Sequence, residues 1–348
     1  MTKKSKRKNN RRILTKQRKA IRDRRRFKNY TLVQNTYIRR RAPKAKRVRS
    51  EGYPVYTGDQ HIKRVILDVP ERFSINNDIE TLLSFIYKSK KVGENRRVTH
   101  IIFNFLKVVE IDDGAATILL SLCYDMNIKN VKVGINHLPI DKTAKSFIQQ
   151  SGFIKYFSGP LIKDNVDGLN TTIKKGKSKI LQKDSALLIH KAMKTIWGIE
   201  KRNQKLQGLF IELMTNSVNH AYLNNQRAKA WYISTSHYLE QNKVEFCFVD
   251  NGDGIINTIN VKFRHRLLLS SEELLVRAFD GQFRSRTMLV NRGRGLIVVK
   301  KSQENMTIKG LKVISNNVLL DFENNIVKRL KTPFSGTFYS WIIDTSCK

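Results

Sequence analysis

The sequence predicts an α/β protein of the α+β kind, with two domains behind a basic, disordered tail. Three observations lead there. Strand-like and helix-like runs alternate between residues 60 and 157, the pattern that builds a layered α/β unit. Two short boxes, FIELMTNSVNHAY at 210–222 and FVDNGDGI at 248–255, place a polar helix stripe and an acidic glycine turn in the second half of the chain. The charge is also segregated. The 348 residues carry 66 Lys and Arg against 29 Asp and Glu, a net +37, and residues 1–50 alone hold 22 of those cations against the single acid Asp23.

Residues 1–50 have few apolar side chains, and the clusters Arg24–Arg26 and Arg39–Arg41 repel one another. Such a segment is disordered alone, or forms a loose helix on a polyanion. It lacks the apolar core of a signal peptide, and no apolar run in the chain approaches the length of a membrane span. Cys123, Cys247 and Cys347 are too few and too scattered for a disulfide framework or a zinc site. A reduced, cytoplasmic protein is the expectation.

The first domain is expected over 51–160. VILDVP at 65–70 reads as a strand, and 75–91 has helical spacing through Ile79, Leu82, Leu83 and Ile86. HIIFNF at 100–105 is a buried-strand run, IDDGAATILLSLCYDM suits a helix, and VKVGI at 131–135 is a further strand. A helix opened by Asp141 closes near Gly152. Residues 161–183, polar and lysine-rich, are expected to connect this domain to a second one over 184–348.

The second domain begins with a helical region from Asp184 to about Asn203, followed by the helix of the first box. There Glu212, Asn216 and His220 stand four residues apart, so they share one helix face. The strand VEFCFV delivers Asp250 to a turn in which Gly252 and Gly254 let a ligand approach the backbone. Asn251 and Asp253 there also read as ordinary turn residues. Gly293 and Gly295 precede an apolar helix, LIVVK, whose first N–H groups suit phosphate. Arg284, Arg286, Arg292 and Arg294 add positive charge nearby.

These boxes resemble the GHKL family of ATP-binding domains, which includes sensor histidine kinases, anti-sigma-factor kinases and the gyrase B subunit. Its E-x-x-x-N-x-x-x-H motif is met by Glu212, Asn216 and His220, and D-x-G-x-G by Asp250, Gly252 and Gly254. G-x-G-L is met by Gly293, Gly295 and Leu296, and a closing G-T by Gly336 and Thr337. The resemblance covers about residues 184–345. It implies an α/β sandwich, a mixed sheet with helices on one face, binding ATP and Mg²⁺ on the helical side. Asn216 is then the Mg²⁺ ligand, Glu212 the catalytic base, and Asp250 the acceptor for the adenine amino group, supported by Thr337. Gly252 and Gly254 make room for base and ribose. Arg292, Gly293 and Gly295 surround the phosphates with Leu296 completing their motif, residues 255–292 form a lid, and His220 either contacts phosphate or packs against that lid.

Residues 60–157 resemble a STAS domain, the fold of anti-anti-sigma factors. In STAS switches the turn after the acidic residue offers a serine or threonine for phosphorylation. Here it reads Asp112, Asp113, Gly114, Ala115, Ala116, with Gly114 in the acceptor position. A packing or docking scaffold is therefore expected. Taken together, the resemblances imply a nucleotide-binding regulatory protein, kinase-like or nucleotide-gated, acting on a protein partner. The alternative is a slow ATP hydrolase coupled to nucleic acid through residues 1–50, whose cations would exchange for phosphate counterions.

Overall fold

The computed structural model describes residues 64–157, 171–177, 179–219, 230–259, 269–283 and 295–348. The chain divides into two compact units, 1–53 and 54–348, and every described residue belongs to the second. The basic tail, His220, Arg284, Arg286, Arg292, Gly293 and Arg294 lie outside the described residues, as does much of the expected lid.

The N-terminal part is built on a parallel sheet of β1 (Arg64–Asp68), β3 (His100–Asn104) and β5 (Lys132–His137), in the order β1-β3-β5. Helices α1 (Ile79–Gly93) and α2 (Asp113–Ile128) are its crossovers, and α3 (Lys142–Gln150) follows β5. The short strands β2 (Arg72–Phe73) and β4 (Glu110–Ile111) pair beside it. Each helix starts on an aspartate that accepts a backbone N–H three residues on. Asp78 takes that of Thr81 at 3.1 Å, Asp112 that of Ala115 at 2.7 Å and Asp141 that of Ala144 at 2.8 Å. Gly152, at φ 71°, ends the last of these segments.

The larger sheet runs β6-β7-β8-β10-β9, with β6 (Thr171–Lys177), β7 (Ala230–Tyr238), β8 (Lys243–Asp250), β9 (Lys309–Asp321) and β10 (Ile326–Ile343). Every pairing in it is antiparallel. The expected mixed sheet is thus corrected. The β7–β8 and β9–β10 connections are only a few residues long and contain Asn242 and Asn325 at positive φ. Links that short join antiparallel neighbours, whereas a parallel pair needs a long crossover.

The described helices of residues 182–348 lie on one face of this sheet, and its other face is covered by the N-terminal part. One face carries α4 (Gln182–Trp197), α5 (Gln204–Asn219), α7 (Ser271–Phe279) and α8 (Gly295–Glu304), with a four-residue helix α6 (Ile255–Thr258) at its margin. The other face carries α1 and α2 of the N-terminal part. The strands explain why both faces are covered. In β8, Val244, Phe246 and Phe248 point to the helical core, while Cys247 and Val249 point to the N-terminal core. In β7, Trp231 and Ile233 face one way and Ala230 and Tyr232 the other. Period-two alternation with apolar residues on both sides leaves neither face suited to water.

Residues 171–177, inside the expected connector, form the edge strand β6. Gly176 sits on the ring of Trp231, where a Cβ would come within 2.1 Å of ring carbons, so only glycine fits. None of the described helices is long and apolar enough to cross a membrane. Cys123 and Cys247 are buried free thiols and Cys347 is a half-buried one.

Candidate functional site

Three elements position the polar groups. The first is α5, whose apolar positions Leu206, Leu209, Phe210, Leu213 and Met214 bury it against the sheet. That anchoring turns Glu212 and Asn216 toward α8. A Cβ built on Gly295, the first residue of α8, would lie 2.7 Å from Glu212 Oε2 and 3.0 Å from both side-chain atoms of Asn216. Gly295 is therefore where two chain segments meet, and alanine there would displace both polar groups. Asn216 Nδ2 is buried with no hydrogen-bond partner among the described residues, a cost in a folded interior unless a ligand or water meets it. Glu212 is half-buried, and burial raises its carboxyl above the usual range. Leu296 packs against the helical-side core, so its side chain serves packing.

The second and third elements are the ends of β8 and β10. Asp250 is 4% exposed and is paired in register with Thr337. Its Oδ1 accepts the Gly252 N–H at 2.8 Å. Thr337, through its N–H and hydroxyl, and Ser217 also lie against the carboxyl group, while the Ser217 hydroxyl itself donates to the Leu213 carbonyl at 3.0 Å. Burial nevertheless pushes Asp250 up to about 7, because these bonds offset only part of the desolvation. Ser217 follows Asn216 on α5, so one helix contributes to both polar groups. Gly336, at φ 118°, brings the β10 backbone so near Asp250 that a Cβ would lie 2.1 Å from its carbonyl oxygen.

The glycine turn is held from β9. Asn316 Oδ1 accepts the Ile256 N–H at 3.1 Å, Asn316 Nδ2 donates to the Asp253 carbonyl at 3.0 Å, and Ser315 Oγ accepts the Ile255 N–H at 2.8 Å. Gly254, at φ 82°, lies so close to Asn316 that a side chain there would collide with its amide. Asn251 does more than shape a turn. Its Oδ1 accepts the Ala230 N–H at 3.0 Å and its Nδ2 donates to the carboxylate of Asp125 on α2.

Glu212, Asn216 and Gly295 are thus together, and so are Asp250, Gly252, Thr337 and Ser217. Sequence reasoning missed Ser217, Ser315 and Asn316. Ser217 stands inside the first box, but at one residue from Asn216 it points about 100° away around the helix, and so dropped out of a pattern read every fourth residue. The only signal for the β9 pair was the polar break SNN in the apolar run VISNNVLLD.

Among the described residues no group of three or more His, Cys, Asp or Glu is placed to hold a metal ion. The donors that meet at Gly295 are the neutral amide of Asn216 and the carboxyl group of Glu212. That set fits one hard cation whose remaining oxygens come from a polyphosphate and water. A cavity of about 600 Å³ beside Asn257, Asn316, Arg329 and Lys331 is not lined by Glu212, Asn216 or Asp250, so the site rests on its donor set and not on cavity size. No family model matches the sequence, and no curated protein matches it.

Proposed function

We propose that residues 184–345 bind Mg-ATP and that the chain is a nucleotide-gated regulatory protein, kinase-like in its action on a protein partner. Two observations carry this reading: Asn216 and Glu212 meet at Gly295, and Asp250 is buried and glycine-flanked at the neighbouring strand ends. Asn216 would hold Mg²⁺ through its amide oxygen, a neutral ligand that adds no charge beside the phosphates. The ion, when bound, would neutralise phosphate charge. Asp250, when ionised, accepts but cannot donate, which selects an amino group over the carbonyl oxygen of guanine. Thr337 and the Gly252 N–H fix its orientation. Glu212, raised by burial, is suited to take a proton from water or an incoming hydroxyl.

The packing of the STAS-like turn supports an acceptor on another molecule. A Cβ at Gly114 would lie 2.5 Å from Ile75 and 3.0 Å from Phe338, and the Thr117 hydroxyl is engaged with the Asp113 carbonyl and Ser234 at 2.6 and 2.8 Å. Nucleic-acid attachment through residues 1–50, with slow ATP hydrolysis as the output, is the second reading. The density of 22 cations there favours it.

Incubation with γ-labelled ATP, alone and with host extract, separates the outputs. Label on protein indicates a kinase, free phosphate a hydrolase, and neither a nucleotide-gated binder. Glu212→Ala is expected to keep nucleotide affinity and lose turnover by about a hundredfold. Turnover equal to wild type would remove Glu212 as the base.

A further inference from the structure

The N-terminal part touches both backbone segments that hold Asp250. On one side, Asp125 of α2 accepts from Asn251 Nδ2. Asn251 is the residue after Asp250, and both its side-chain amide and its N–H are committed. Its Oδ1 takes the Ala230 N–H at 3.0 Å, and its own N–H donates to the Ala230 carbonyl at 3.3 Å. On the other side, Lys90 Nζ of α1 donates to Ser335 Oγ at 2.7 Å, two residues before Thr337. Lys90, Asp125 and Ser335 line one small cavity of about 30 Å³, so the two ties are neighbours. The carboxyl group of Asp250 takes its bonds from Gly252, just beyond Asn251, and from Thr337, just beyond Ser335. Its position is therefore set by segments that α1 and α2 grip.

We propose that Asp125 is a positioning residue for the nucleotide site, acting through Asn251 on Asp250, and that occupancy of the site is thereby linked to the seating of the N-terminal part. This rests on the nucleotide reading above. Removing the Asp125 carboxylate breaks the bond that ties Asn251 Nδ2 to α2, and the turn is released from that helix. Asp250 then meets the base at a poorer distance and angle. Linkage is reciprocal: whatever loosens α1 and α2 from the sheet weakens nucleotide binding, and nucleotide tightens that seating by the same factor.

The test uses the full chain, titrated with Mg-ATP and Mg-GTP. Asp125→Ala is expected to weaken ATP about tenfold and to shrink the preference for ATP over GTP. Asp125→Asn, whose amide oxygen still accepts from Asn251, is expected to stay within about twofold of wild type. Hydrogen exchange without nucleotide should show the Gly252 amide opening about tenfold faster in Asp125→Ala, with β3 amides unchanged. A merely structural role would lower thermal stability and leave both the base preference and the Gly252 amide unmoved. Wild-type binding with an unchanged Asp125→Ala overturns the inference alone. A wild-type chain that binds neither nucleotide overturns the nucleotide reading, and the inference with it.

Discussion

The two faces of the five-stranded sheet are packed by different means. Toward α4, α5, α7 and α8 the face is aromatic: Trp231, Phe246, Phe248, Tyr339 and Trp341 are buried there, with Phe246 and Trp341 stacked at 5.5 Å and Phe210 of α5 set edge-on to both. Toward α1 and α2 the face mixes smaller and polar groups, Ala230, Ser234 and Cys247 beside Tyr232, Val249 and Phe338. Hydrogen bonds cross it at Thr117–Ser234, Lys90–Ser335 and Asn251–Asp125. The first face resembles a protein interior. The second resembles an interface between two bodies, close-fitting and specified by polar pairs. The strand ends that hold Asp250 serve both faces: Ser217 of α5 lies against its carboxyl group, while the residue after it bonds to α2.

The largest expected effect falls on the aromatic face. Phe246→Ala should destabilise the chain by about 3–5 kcal/mol, read by denaturant unfolding; a loss below 1 kcal/mol would mean that the stack with Trp341 does not organise this core. On the other face, Gly114→Ser forces a side chain against Ile75 and Phe338. Overpacking of that kind costs about 1–3 kcal/mol, and the variant should loosen α2 against the sheet. An unchanged midpoint would show that this contact is slack.

Between the faces, Asp250 gives a pH signature. Its folded carboxyl titrates at about 7, above the ordinary value of 3.8. Its contribution to stability is therefore fully present below about pH 4 and lost as pH rises through about 7, at up to about 1.4 kcal/mol per pH unit. Asp250→Asn should flatten that part of the stability curve of the nucleotide-free chain. Parallel curves for wild type and variant would place the titration elsewhere.

Much of the N-terminal part was legible because its signals are local. Asp112 and Asp141 cap helices through bonds within three residues, and β3 and β5 are short apolar runs. The site residues on α5 and β8 were legible for the same reason, as fixed spacings within single elements. What escaped depends on partners distant in sequence. β7 contains Ser234 and Ser236, polar residues that look solvent-facing yet are buried on the face covered by the N-terminal part, and Thr235, buried on the opposite, helical face. β6 carries four lysines or threonines in its first five residues, and it is a strand because β7 offers an edge. Asn251 looks like a turn residue until α2 is placed beside it. The two-sided coverage of the sheet follows from the alternation in VEFCFV, but only when each face is followed separately.

The central claim is that Asp250 reads the base of a bound adenine nucleotide. Calorimetric titration of the full chain with Mg-ATP and Mg-GTP at pH 8, for wild type and Asp250→Asn, tests it most directly. The account predicts saturable binding of ATP in preference to GTP, weakened more than about tenfold by the substitution, which is about 1.4 kcal/mol. Equal ATP affinity in the two proteins, or no ATP binding by the wild-type chain, would contradict it.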